Sequence, residues 1–156
     1  MSTERSRSVS GWWSRRGARL DLPAGADYVN GVGRTIRIIA GGVTASAELN
    51  DSPTAGAIWD ALPIEAKAST WGDEIYFDIG ISAPADASQE VVDLGDLGFW
   101  PPGRAFCVFF GPTPMSRGDE IRPASAVTVV GRVAGDCTVF MKVRAGANVR
   151  LERGAR

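Results

Sequence analysis

The sequence contains no histidine, and that absence narrows its chemistry more than any residue it holds. Without imidazole there is no Ser-His-Asp or Cys-His arrangement, no His-containing zinc site and no ordinary general base near neutral pH. Proton transfer would fall to carboxylates, Tyr or Lys, and electrostatic stabilisation to Arg or backbone N–H groups. Cysteine is scarce too. Cys107 and Cys137 are too few for a disulfide framework and are not spaced as a metal-binding pair. Cys107 lies in an apolar run and reads as a small buried hydrophobe, whereas Cys137 follows Asp136 near a helix start, where a thiolate could be stabilised. Incidental thiols in a reducing cytoplasm are the expectation for both, with no metal and no cofactor. There is no basic block either: 17 Lys+Arg against 18 Asp+Glu give a net charge of −1, which offers nucleic acid no electrostatic footprint. No apolar run approaches the roughly 20 residues needed to cross a bilayer, so no membrane association is expected.

What remains is ordinary for a globular domain, with 44% apolar and 22% charged residues. A chain of 156 residues can bury one core but not two independent ones. Residues 1–33 stand apart. Ser and Arg dominate the opening, Trp12-Trp13 precedes Ser14-Arg15-Arg16, and Gly and Pro interrupt the rest without any period. The two arginines begin like a twin-arginine export signal, but Leu20-Asp21-Leu22-Pro23 is not the apolar stretch such a signal needs. This segment is expected to be a disordered or non-core extension, or sequence upstream of the native start, with the folded domain spanning 34–153.

From Thr35 the period is mostly two. Val43, Ala45, Ala47 and Leu49 alternate with polar neighbours, and Gly41-Gly42 before them marks a hairpin turn. Ile75, Phe77 and Ile79 alternate with Glu74, Tyr76 and Asp78, and Val149 and Leu151 with Asn148, Arg150 and Glu152. The runs 106–110 and 127–133 are apolar on both faces, as central strands are. One helix is well marked: Ser52 caps it, Pro53 takes the first position, Ala55, Ile58, Trp59 and Leu62 form its stripe, and Pro63 ends it. A shorter one is predicted from about Asp136 to Val143. Strands at short intervals with two brief helices predict a closed antiparallel barrel capped by helices.

Three stretches carry a resemblance: Leu49-Asn50-Asp51-Ser52-Pro53-Thr54-Ala55, Trp71-Gly72-Asp73-Glu74-Ile75-Tyr76-Phe77, and Gly95 to Phe106 with its Phe99-Trp100-Pro101-Pro102-Gly103-Arg104 core. With Phe109-Phe110-Gly111-Pro112-Thr113-Pro114, they resemble a family of small bacterial and archaeal cyclophilin-like proteins over about residues 34–152. The resemblance implies an eight-stranded cyclophilin-like β-barrel closed by two helices, with no established activity. A fainter similarity reaches the peptidyl-prolyl isomerases: Pro53-Thr54-Ala55 resembles the opening of their first helix, Val130-Gly131-Arg132-Val133 the segment that precedes their second, and Ala105-Phe106-Cys107-Val108 replaces their Gln-Phe-Phe-Ile strand. The isomerase's Phe-His-Arg and Gln-Gly-Gly-Asp motifs have no counterpart. Its pocket Gln and second Phe would fall on Ala105 and Cys107, removing an amide and an aromatic wall. Since isomerisation must cross about 18–20 kcal/mol of amide resonance, that loss predicts the fold without efficient isomerase chemistry.

Three clusters are candidate sites. Glu74 beside Trp71 and Tyr76 is either a carboxylate at a pocket mouth, able to act as an acid or base, or part of a solvated strand face; the second is the modest favourite. Phe99, Trp100, Arg104 and Phe106 could wall a groove, with Arg104 for a carboxylate or carbonyl, or simply pack over a barrel end. The connection from Gly111 to Glu120, with Arg117, could bind or merely connect. Two function classes follow: a module that binds a small molecule or a proline-containing peptide, or an enzyme, either a weak prolyl isomerase or a catalyst using Glu74. The emptied isomerase pocket favours the binding module.

Overall fold

The computed structural model describes residues 34–83 and 88–154, so the reading of residues 1–33 lies outside the described residues. The first hairpin pairs β1 (Arg34–Ala40) with β2 (Val43–Leu49). Gly41 turns it at φ 58°, a left-handed conformation that glycine takes without penalty. Helix α1 (Pro53–Ala61) follows, and the Ser52 hydroxyl accepts the Ala55 N–H at 3.2 Å as the sequence predicts. Ser52→Ala should cost about 1 kcal/mol by freeing that N–H, read as a lower urea midpoint at unchanged slope.

The chain then forms β3 (Ile64–Lys67), β4 (Ser69–Thr70), β5 (Glu74–Asp78), β6 (Ser88–Gln89), β7 (Asp96–Trp100), β8 (Ala105–Phe109), β9 (Val127–Val133) and β10 (Asn148–Arg153). A 3-10 turn, Pro101–Gly103, joins β7 to β8, and a 3-10 helix, Cys137–Lys142, precedes β10 with Asp136 capping it at Thr138 N. The pairings described are antiparallel, in the order β3-β10-β1-β2-β9-β7-β8-β5-β4, with β6 beside β9. The two ends of that order, β3 and β4, are neighbours in sequence across Ala68. The sheet therefore closes on itself as a barrel. Ala68 marks the change of partner: its N–H donates to Ala147 O at 2.9 Å and its carbonyl accepts from Gly146 N at 2.7 Å.

The sheet has ten strands where eight are expected. One extra arises because the strand through Ala68 switches partners and counts as two; the other is β6, whose two residues are too few to show a period. The second predicted helix is present in its tighter 3-10 form.

Inside the barrel lie Phe77, Phe99, Phe106 and Phe140 with Ile36, Ile38, Ile58 and Leu151, all 2% exposed or less. Phe77 and Phe106 are direct cross-strand partners, and their rings stack at 5.4 Å. Cys137 belongs to this core, and burial raises its thiol pKa, so the structure favours the thiol and not the thiolate that its place beside a cap would allow. At the bulge in β9, a Cβ on Gly131 would meet Glu48 O at 2.1 Å, so only glycine lets β2 approach there. One buried charge braces the wall: Asp96 accepts from Arg132 Nη2 at 3.2 Å and from Asp93 N at 2.9 Å.

A second, smaller apolar cluster sits on the outer face of the sheet. Ala105, Cys107, Phe109 and Val127 point outward and are covered by Val92 and Ile121, whose segments join through Val92 N to Ile121 O at 2.9 Å. A Cβ on Gly98 would come within 3.2 Å of the Phe109 ring and Val127, so glycine there gives the cover room to pack. This outer layer positions the site.

Candidate functional site

On β5 the alternation places Ile75 and Phe77 inside and Glu74, Tyr76 and Asp78 outside. Register then sets their neighbours. Tyr76 lies opposite Cys107, which lies opposite Gly98, while Trp100 lies opposite Ala105 on the same outer face. Between these strands and the loop at Pro123-Ala124 is a pocket of about 200 Å³, lined also by Trp71 and Val127.

Local structure fixes each wall. Trp71 and Glu74 are held by a turn in which Trp71 N donates to Glu74 O at 3.0 Å and Gly72 takes φ +61°. That turn docks on the 110–114 segment through Asp73 N to Pro112 O at 2.9 Å and Phe110 N to Asp73 O at 3.0 Å. Asp73 packs where a Cβ on Gly111 would be, at 2.4 Å, so glycine at 111 is what admits the turn. The far wall is tied by the Trp100 indole N–H, which donates to Ser125 Oγ at 2.6 Å. The loop between is stitched internally: Thr113 N and Arg122 N both donate to Ser116 Oγ, Thr113 Oγ1 donates to Arg122 O, and Arg122 pairs with Glu120 at 2.7 Å.

Glu74 is the unusual residue. It is 5% exposed, because the loop covers the strand face that local alternation marks as solvated. Burial drives its pKa from the ordinary 4.5 up to about 7, opposed by a hydrogen bond from the Cys107 thiol. The same burial, and the neighbouring carboxylate, push the Cys107 thiol well above its usual range. Cys107 is therefore a thiol donor here and not a nucleophile. The site combines a carboxyl group whose pKa burial raises to about 7, two indoles and a phenol in one small concavity.

Of the residues proposed from sequence, Trp71, Glu74, Tyr76 and Trp100 come together at this pocket. Phe99 and Phe106 do not: both are fully buried on the inner face, since odd and even positions of β7 and β8 point to opposite sides. Arg104 lies outside the pocket as well. It ends the Pro101–Gly103 turn at φ 49° and reaches Asp78 at 3.2 Å, with both side chains more than half exposed. Arg117 is exposed on the loop, its N–H donating to Glu120 Oε2 at 3.3 Å. Cys107, Pro123, Ala124 and Val127 complete the lining without being singled out as site residues from sequence. For Cys107 a signal existed, because the isomerase resemblance sets it where a pocket Phe stands; the other three belong to a long-range packing that no local pattern reports.

The fold and site define a closed antiparallel barrel with a carboxylate-bearing aromatic pocket on its outer wall. The chain belongs to the Cyclophilin-like family, which it matches over residues 34–152. The solution structure of a hypothetical protein from Archaeoglobus fulgidus is similar, at 42% identity over 79% of this chain and 96% of that one, with a TM-score of 0.69. No curated protein matches the chain. Among the described residues no helix is long and apolar enough to cross a membrane, and no cluster of three or more His, Cys, Asp or Glu could hold a metal.

Proposed function

We propose that this protein is a binding barrel whose outer pocket takes a small ring-sized ligand, either free or carried by a proline-containing peptide. The observation that carries this reading is the convergence of Trp71, Tyr76 and Trp100 around the nearly buried Glu74. Concave, mostly apolar sites with few fixed polar groups are what ligands occupy. About 200 Å³ suits one ring, given that a cavity near 150 Å³ already accepts benzene. Cys107 and Ala105 are small where the isomerases carry an aromatic wall and an amide, which supports binding over catalysis of prolyl rotation. The two thiols are buried and unpaired, which suits a reducing cytoplasm.

The test is an amide and indole NMR titration with single-ring compounds and with a short Xaa-Pro peptide. Shifts centred on Trp71, Tyr76, Cys107 and the Trp100 indole are expected, with no faster cis–trans exchange of the peptide. Trp100→Ala should weaken binding at least about tenfold, removing both a wall and the Ser125 tether. Shifts confined to other surfaces would sink the proposal. The pKa of Glu74 favours a second reading, acid–base catalysis, because a carboxyl near 7 can both give and take a proton at neutral pH. In that case Glu74→Gln abolishes turnover while leaving substrate binding nearly intact.

A further inference from the structure

The aromatic pocket, taken as a binding site, also carries information about the class of its ligand. Its lining holds one carboxylate, two indoles and a phenol, and neither Lys nor Arg. Every electrostatic feature of such a wall points one way. Aromatic faces present negative charge to what lies over them, and a carboxylate does so more strongly. An anion would meet the Glu74 charge at close range, and a neutral hydrocarbon would leave that carboxyl buried beneath it with only the Cys107 thiol as a partner.

We infer that the pocket of Trp71, Tyr76, Trp100 and Glu74 receives an alkylated ammonium cation, with its carbons against the rings and its charge against the carboxylate. A trimethylammonium head is about the size of a single ring and fits the volume of about 200 Å³. Its charge is spread over apolar carbons, so it loses less hydration on entry than a primary ammonium, and aromatic walls are the general means of recognising it. The groups facing Glu74 do not supply a competing cation. On its own strand the next outward residue is Tyr76, on β8 Phe109 stands opposite Glu74 and Cys107 opposite Tyr76, and the remaining lining side chains, Trp71, Trp100, Pro123, Ala124 and Val127, carry no titratable group.

A pH dependence follows with a definite sign. The cation binds the ionised carboxylate, so its apparent affinity scales with the ionised fraction, which for a group near 7 is about a tenth at pH 6 and about half at pH 7. Affinity should therefore rise about fivefold between those values and less than about twofold above pH 7.

The experiment compares choline with 3,3-dimethylbutan-1-ol, its uncharged carbon isostere, by calorimetry and indole NMR on the full chain at pH 8. Choline is expected to bind at least about tenfold more tightly. Glu74→Gln should erase that preference by weakening choline, and Trp100→Ala should weaken both. Equal or tighter binding of the isostere overturns the ammonium assignment, although the pocket remains a ligand site. Choline binding that neither substitution weakens places the cation elsewhere and overturns it too. If neither compound shifts the pocket resonances, the assignment fails, and the ring-compound titration then decides independently whether the pocket binds anything.

Discussion

Replacing Phe106 by alanine is expected to destabilise the barrel by about 3–5 kcal/mol, the usual range for emptying a fully buried aromatic site. The ring is 0% exposed and stacks on Phe77 at 5.4 Å across the β5–β8 pair. Deleting it removes that contact and leaves a cavity that the closed sheet cannot readily collapse, because strands hydrogen-bonded on both sides resist inward movement. Against a typical total of 5–15 kcal/mol, such a loss is severe. Urea unfolding monitored by tryptophan fluorescence reads it as a large drop in midpoint at nearly unchanged slope. Trp100→Ala provides the contrast: this half-buried side chain lies on the outer face, so its loss should weaken ligand binding more than stability. A cost below about 1 kcal/mol for Phe106→Ala would mean that the ring does not fill the barrel.

Phe106 also shows how far local pattern reaches. The barrel class is legible because β2, β5 and β10 each alternate apolar residues facing the core with polar ones on the other face, so period two appears directly in the sequence. β8 is apolar on both faces, since the barrel core lies on one side and the outer cluster on the other. Alternation then cannot say which face is which, and Phe106, an inward residue, reads as a groove wall. The Ala105 and Cys107 positions give the missing phase: they mark the outer face of β8, and Trp100, Tyr76 and Glu74 fall on that same face by register. Burial of Glu74 could not be read at all from its own strand. It depends on the 110–126 segment folding back over β5, which rests on contacts between Asp73 and Pro112 and on a glycine at 111 that admits Asp73. A solvated strand face and a covered one look the same in sequence when the cover comes from some forty residues away.

That covered carboxylate should make the protein less stable as pH rises from about 5 to 8, the reverse of ordinary acid denaturation. Glu74 has a folded pKa of about 7 against an ordinary 4.5, so between these values the folded state binds more protons than the unfolded one. Stability then falls with rising pH, with the full contribution present below 4.5 and lost as pH passes through 7. At 1.36 kcal/mol per unit, Glu74 alone accounts for on the order of 3 kcal/mol. Asp96 acts in the same direction over a lower window, with burial raising it from 3.8 to about 6 against the pull of Asp93 N and Arg132. Glu120, Asp136 and Glu152 act oppositely. Their pKa values are lowered by Arg122, by Thr138 and by Arg37 and Arg150 respectively, so they support the fold above the normal carboxylate range and lose that support only in acid. Stability should accordingly peak near pH 5. Urea midpoints at half-unit steps from pH 4 to pH 8.5 check the curve. Glu74→Gln should remove most of the decline above pH 6, because the amide cannot ionise, and should leave the acid limb unchanged. A variant whose curve still fell as steeply through pH 7 would show that Glu74 titrates as a solvated carboxylate, already ionised across this range, and that another group causes the decline.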